Sequence, residues 1–221
     1  MDMLTYEEFI EKQESIYQKF RNASQDLVGK KTSPDKHIGK GSFGIVYKHP
    51  KNVNDAVEFM SQKFSAIIPT LFYFADSVHT TISDYNLDFD FEPEASVAQS
   101  LVDIVEKAAP NITQPTIDYK GWLFNGSSVV AEGYPNEPFY ENAVTLVRAA
   151  ENSGIELRMP WGAHITVARA KAENPITQQA LKLISSSPAI GRSCPESLDV
   201  VAFYIGKEEV KITRTYKKFD L

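Results

Sequence analysis

The sequence predicts an α+β fold in one compact unit with two lobes, and three observations carry that prediction. Segments of strand-like character and segments with a helical apolar stripe follow one another along the chain with little linker between them. A length of 221 residues suits one large domain. With 43% hydrophobic and 24% charged residues the composition is near the soluble globular average. That excludes a disordered tail, a collagen-like fibre and a coiled coil, and leaves apolar material for a core.

Each element has its own signal. Thr5 and Glu8 stand at capping-box spacing, and Phe9, Ile10, Ile16, Tyr17 and Phe20 follow on one helical stripe. Residues 22–35 are polar and read as a loop, and residues 44–48 as a short strand. Asn54 and Asp55 are placed to cap a helix through Phe64. Residues 67–74 and 78–82 are apolar, β-branched and aromatic, and read as strands. Beyond the acidic stretch 84–94, Val97, Leu101, Ile104 and Val105 mark one face of a helix.

The second half repeats this grammar. Strands are expected at 116–119 and 128–132, and a helix at 137–152, with Gly154 as its left-handed stop. A strand at 163–168 precedes a helix at 175–184 that Asn174 is placed to cap. Two strands, 198–205 and 210–219, close the chain around Gly206.

Charge and cysteine content narrow the function classes. Lys and Arg number 23 against 29 Asp and Glu, a net charge of −6, which disfavours gripping long nucleic acid through its phosphates. A small anionic ligand or a short oligonucleotide end in a local basic cleft fits better. The single cysteine, Cys194, forms no internal disulfide, so nothing points to an oxidising compartment. Residues 1–8 carry acidic side chains and lead into no apolar run, unlike a signal peptide. The most apolar segment, residues 64–78, is broken by Ser65, Pro69, Thr70 and Asp76 and is too short to cross a bilayer. The expectation is a cytoplasmic monomer without membrane contact, in which the sequons at Asn22, Asn111 and Asn125 carry no meaning.

Two motifs are decoys. Gly39, Gly41, Gly44 and Val46 spell the glycine-rich loop of protein kinases, yet no His-Arg-Asp or Asp-Phe-Gly follows, so the stretch reads as a turn before a strand. Asp84, Asn86, Asp88 and Asp90 imitate the start of a calcium loop. Its sixth and twelfth positions hold Phe89 and Ala95 where glycine and glutamate are required. With no Cys-x-x-Cys or His-Glu-x-x-His either, no metal and no cofactor is expected.

A quieter pattern carries the chemistry. His79-Thr80-Thr81-Ile82 and His164-Ile165-Thr166-Val167-Ala168-Arg169 each set an imidazole and a hydroxyl two residues apart. Residues i and i+2 of a strand share a face, so each copy presents the pair side by side while Val78, Thr80 and Ile82, or Ala163, Ile165 and Val167, face the other way. Arg169, three residues beyond Thr166, would face away in an unbroken strand. It either braces the site or follows a bulge.

The two motifs, about 85 residues apart, resemble the signature of the 2H phosphoesterase superfamily, which includes LigT-like 2′-5′ RNA ligases, cyclic nucleotide phosphodiesterases and AKAP-type nucleotide-binding domains. The resemblance covers residues 43–221. It implies a bilobal, pseudo-twofold α+β fold, with antiparallel sheets lining a central cleft and helices outside. Residues 36–221 would form that domain, and residues 1–35 a helix-and-loop extension. It further implies His79 and His164 as the catalytic pair and Thr81 and Thr166 as phosphate ligands, with Arg169 a further candidate. The implied activity is metal-independent hydrolysis of a 2′,3′-cyclic phosphate or a 2′-5′-type linkage. A non-catalytic nucleotide-binding module on the same scaffold is the alternative.

The chemistry supports that reading on its own terms. Opening a cyclic phosphodiester needs a base for water and an acid for the leaving ribose oxygen, and histidine serves as either near neutral pH. Which histidine takes which part the sequence leaves open. Trp161, Tyr73 and Phe74, next to the motifs, are candidates for stacking on a base, with core packing as the competing role. Lys211, Arg214, Lys217 and Lys218 either focus field toward a phosphate or defend a solvated edge strand.

Overall fold

The computed structural model of the chain describes residues 4–221, so residues 1–3 of the expected extension lie outside the described residues. Helix α1 (Tyr6–Gln25) starts at the capping box: Thr5 Oγ1 accepts from the Glu8 N–H at 3.2 Å, and the Glu8 carboxylate accepts from the Thr5 N–H at 2.7 Å. It continues through residues read as loop, because Phe9, Gln13, Tyr17 and Phe20 keep one face against the rest of the molecule.

Strand β1 (Lys40–Lys48) is longer than its apolar tail suggested, and every residue between its ends is buried. It runs between β3 (Thr80–Asp84) and β9 (Ser197–Ile205), and because both of its faces are buried no alternation shows. Gly41 is required here, since a Cβ would stand 2.6 Å from the Phe91 ring and 2.9 Å from the Phe203 carbonyl oxygen. The kinase-like stretch is a turn at Gly39, φ 89°, leading into this strand.

Helix α2 (Lys51–Ser65) begins at Pro50, ahead of the expected cap, while Asn54 turns back to donate to the His49 carbonyl at 3.0 Å. After β2 (Thr70–Tyr73) and a 3₁₀ turn (Ala75–Ser77) comes β3, and the acidic stretch holds a two-residue strand, β4 (Asp88–Phe89). Helix α3 (Ala95–Ala108) leads to a hairpin of β5 (Ile117–Phe124) and β6 (Ser128–Pro135). Helix α4 (Glu137–Glu151) is followed by Gly154 at φ +73°, in the left-handed region. Strand β7 (Ile165–Ala170) precedes α5 (Gln178–Ser186).

The cap of α5 corrects the sequence reading. Thr177, not Asn174, accepts from the Ala180 N–H, at 3.2 Å, because residues 174–176 are extended and pair with residues 30–32. Strand β8 (Gly191–Ser193), three residues long, had no sequence signal, and β10 (Glu209–Asp220) ends the chain.

The strands form one open sheet in the order β3-β1-β9-β10-β2-β7-β6-β5-β8, with β4 beside β1. Two antiparallel halves meet where β2 runs parallel to β10, at Phe72–Glu209 and Tyr73–Val210. The α2 helix covers β2 and β7, α4 packs on β3 and α3, and α1 and α5 pack on β5. Among the described residues no helix is long and apolar enough to cross a membrane.

Two bulges decide what faces the space between the halves. Val46 pairs with Thr81 but its neighbour Ile45 with Ser83; likewise Val130 pairs with Thr166 but Val129 with Ala168. Ile82 and Val167 are therefore extra residues, and each bulge flips the face of everything after it. His79, Thr81 and Asp84 stay half-exposed on one side of their segment, and His164, Thr166 and Arg169 do the same on the other. Val78, Ile82, Ile165 and Val167 point the opposite way and are fully buried.

Candidate active site

Strands β3 and β7 approach each other across a cleft of ≈ 230 Å³. His79, Thr81 and Asp84 line it from one half, and His164, Thr166 and Arg169 from the other. The two motifs thus repeat one geometry. His79 donates from Nδ1 to the Ser77 carbonyl at 2.8 Å, and His164 from Nδ1 to the Gly162 carbonyl at 3.3 Å, each to the residue two places before it. A carbonyl oxygen can only accept, so Nδ1 carries the proton and Nε2 is left as the free acceptor of both rings. Lys48, the last residue of the glycine-rich stretch, anchors the first motif by donating from Nζ to the Val78 carbonyl at 2.9 Å and to the Asp76 carbonyl.

Arg169 reaches the cleft because of the Val167 bulge. Its Nε donates to the Tyr73 hydroxyl at 2.8 Å and its NH1 to Asp35 Oδ2 at 2.5 Å. Asp35 in turn accepts from the backbone N–H of His37 at 2.7 Å and from its Nδ1 at 2.9 Å. One buried carboxylate therefore holds both an arginine and a third histidine on the cleft wall. At the equivalent position of the first motif stands a carboxylate, Asp84, forked to Arg158 at 3.1 and 3.2 Å.

The stacking candidates separate. Trp161 lines the cleft with its ring against the His164 imidazole, centroids 3.8 Å apart and planes 20° apart. Tyr73 lines it too, but is 2% exposed and spends its hydroxyl on Arg169. Phe74 is 44% exposed, packs on Phe72 and lies outside the cleft. Apolar cover comes instead from Leu87, Met159 and Phe203, which the sequence reading had not singled out.

The carboxyl-terminal basic run is largely neutralised. Lys211 pairs with Glu209, Lys217 with Glu106 and Lys218 with Asp220, while Arg214 lies 4.8 Å over the Tyr216 ring. None of the four lines the cleft. His49, the remaining histidine, is a core residue whose two nitrogens are bound to Ser193 and Thr80 hydroxyls, both at 2.9 Å.

Burial dominates the titration of the cleft. It pulls His79 down to about 4 against the opposing Ser77 carbonyl, with Lys48 and Arg169 adding repulsion. It pulls His164 down to about 3 against the Gly162 carbonyl, with Arg169 and His79 adding to the fall. Burial would also discharge Arg169, but Tyr73 and Asp35 outweigh it and keep the guanidinium charged. Asp35 is raised by burial and lowered by more through Arg169 and the His37 N–H, so it stays a carboxylate. At neutral pH His79 and His164 are thus neutral imidazoles beside the charged Arg169. Among the described residues no three His, Cys, Asp or Glu side chains gather as metal ligands.

No family model matches the chain, and no curated protein does. Solved structures do. E. coli LigT complexed with 3′-AMP is 18% identical, with a TM-score of 0.52, over 82% of this chain and 98% of LigT. TT0787 of Thermus thermophilus is 16% identical, with a TM-score of 0.58, over 81% of this chain and 97% of that one. A phosphoesterase is 19% identical, with a TM-score of 0.54, over 81% and 98%. The fold is the one that these three structures share, and about a fifth of this chain lies outside each match.

Proposed function

We propose that this chain is a phosphodiesterase that opens a 2′,3′-cyclic phosphate or a 2′-5′-type nucleotide linkage, with His79 and His164 as its base and acid and without a metal ion. The observation that carries the reading is the matched pair of imidazoles. Each is tied through Nδ1 to the carbonyl two residues back, each leaves Nε2 free, and each has a threonine two residues on. One neutral Nε2 takes a proton from water as its oxygen attacks phosphorus. The bond from phosphorus to the ribose oxygen breaks, and the other ring, as imidazolium, gives its Nε2 proton to that oxygen. One water is consumed and a phosphomonoester is left.

Thr81 and Thr166 donate to the equatorial phosphate oxygens, and Arg169 supplies the fixed positive charge that the neutral histidines lack. Leu87, Met159 and Phe203 offer an apolar seat for a nucleobase. LigT has been crystallised with 3′-AMP, NADP⁺ and ATP, which supports a small nucleotide as the ligand here. The net charge of −6 and the paired lysines of β10 support it further, because they offer no track for a long backbone. Cys194, exposed and free, suits a reducing, cytoplasmic compartment.

The test is a substrate panel of 2′,3′-cyclic mononucleotides and short 2′-5′ oligomers in the presence of chelator, read by chromatography. Product is expected from at least one class. Turnover only with added divalent cation contradicts the mechanism. One observation favours a second reading, a nucleotide-binding module: with both rings held far below neutral, the free cleft contains no ready acid. Nucleotide binding without turnover on any member of the panel would select it.

A further inference from the structure

We propose that the amino-terminal helix α1 sets the second motif for catalysis, with Gln13 orienting His164 through the Gly162–Ala163 peptide and Trp161 backing its ring. The proposal rests on the catalytic reading of His164, but the geometry stands without it. Gln13 is fully buried in the stripe formed with Phe9, Tyr17 and Phe20, where an apolar side chain would be the ordinary choice. Its Oε1 accepts the N–H of Ala163, the residue before His164, at 2.8 Å. Its Nε2 is buried with no partner among the described residues, a cost that a leucine or methionine would avoid. Core stability therefore does not explain a glutamine here, whereas holding the Ala163 amide does.

The contact is close. A Cβ on Gly162 would stand 2.7 Å from both Cγ and Oε1 of Gln13, so the helix and the loop meet backbone to side chain. Gly162 is also the residue whose carbonyl receives the His164 Nδ1 proton. Gln13 thus fixes the peptide that fixes the imidazole. Trp161 adds a second constraint. Its ring stacks on His164, and behind it α1 supplies Tyr17 edge-on, with centroids 5.7 Å apart and planes at 79°, and Phe20 at 6.4 Å and 24°. Tyr17 is itself locked, its hydroxyl donating to the Gly133 carbonyl at 3.1 Å and accepting from the Gly133 N–H at 3.0 Å.

The first motif is held differently. His79 has a shorter bond to its own carbonyl, 2.8 Å against 3.3 Å, and its turn is anchored by Lys48 from β1 rather than by α1. The segment after α1 extends the pattern, since its Asp35 holds Arg169. The extension therefore braces the second motif at both ends. Gln13 and Trp161 are positioning residues, and a small rotation of the ring is enough to spoil proton transfer.

The experiment compares wild type with Gln13→Met, which keeps the volume and removes the acceptor, and with Trp161→Leu, which removes the stacked ring. Histidine ring proton NMR reads orientation without any substrate. In the wild type the Trp161 ring current should hold the His164 signals upfield of those of His79. Both variants should move the His164 signals and leave those of His79 in place, with unfolding midpoints showing that the chain remains folded. Turnover of a substrate found in the panel should fall roughly ten- to hundredfold in kcat with KM little changed. Trp161→Leu moves the His164 signals through the lost ring current alone, so unmoved His164 signals in folded Gln13→Met, or an unchanged kcat in either variant, would overturn the proposal. If the wild type turns over nothing, the catalytic reading has failed and the NMR comparison alone decides whether α1 sets the ring.

Discussion

Loading the cleft with an anion should raise the pKa of at least one of His79 and His164 by several units. Burial holds His79 at about 4 and His164 at about 3. At pH 7 the imidazolium fraction of a group at 4 is on the order of 10⁻³, too small for an efficient general acid. A phosphate with one negative charge about 4 Å from a ring, at an effective dielectric of about 20, contributes about 4 kcal/mol, or about three pKa units. That carries His79 from about 4 to about 7, where roughly half of the rings are charged. The sign follows: a pKa higher in the complex than in the free protein means that binding takes up a proton, so affinity rises as pH falls between the two values. The assay is a histidine NMR titration with and without saturating 3′-AMP, with signals assigned by single replacement of the four histidines. Titration of both His79 and His164 near 6.5 in the free protein would refute the reasoning, and so would unshifted values in the complex.

Three further outcomes follow from the same structure. Replacing Asp35 by Asn should cost about 2–3 kcal/mol in urea denaturation at pH 7, because Arg169 loses its buried carboxylate. Since Asp35 is depressed below 3.8 in the folded chain, that gap should persist above 3.8 and close as pH falls through the lowered value. His49, held at about 3 against an ordinary 6.5, should make the wild type lose stability as pH drops from 6.5, by up to about 1.4 kcal/mol per unit. A folded His49→Gln variant should show a shallower acid slope over that window. Nucleotide binding should weaken gently with salt, with a log–log slope near −1 to −2, whereas a steep slope with long RNA would return the β10 lysines to an RNA-binding role.

The sequence revealed the helices and the histidine pair through local periodicity, which does not need knowledge of the partner strands. It missed what partners determine. Both bulges arise from pairing with β1 and β6, so the inward turn of Arg169 was left as one of two alternatives, and that of Asp84 went unnoticed. The signal for Asp84 was present, because His79, Thr81 and Asp84 repeat the spacing of His164, Thr166 and Arg169. Asp35 and His37 could not be found, since they reach Arg169 and the cleft from a polar loop more than a hundred residues away in sequence. Strand β1 looked short because a strand buried on both faces shows no alternation, and β8 is too short to show any. Trp161 was noticed for the right neighbourhood, but it stacks on the His164 ring with Phe20 of α1 behind it, a packing that spacing does not reveal.

The central claim is that two imidazoles, acting on one phosphorus, suffice for the reaction. The most direct measurement follows hydrolysis of a 2′,3′-cyclic nucleotide by ³¹P NMR in chelator, for the wild type, His79→Ala and His164→Ala, each verified as folded. The account predicts conversion to a single phosphomonoester by the wild type and a loss of about 10²–10⁴ in turnover for each variant. Smaller losses are expected for Thr81→Ala and Thr166→Ala. Near-normal turnover in either folded histidine variant, or wild-type conversion only after a divalent cation is restored, would contradict it.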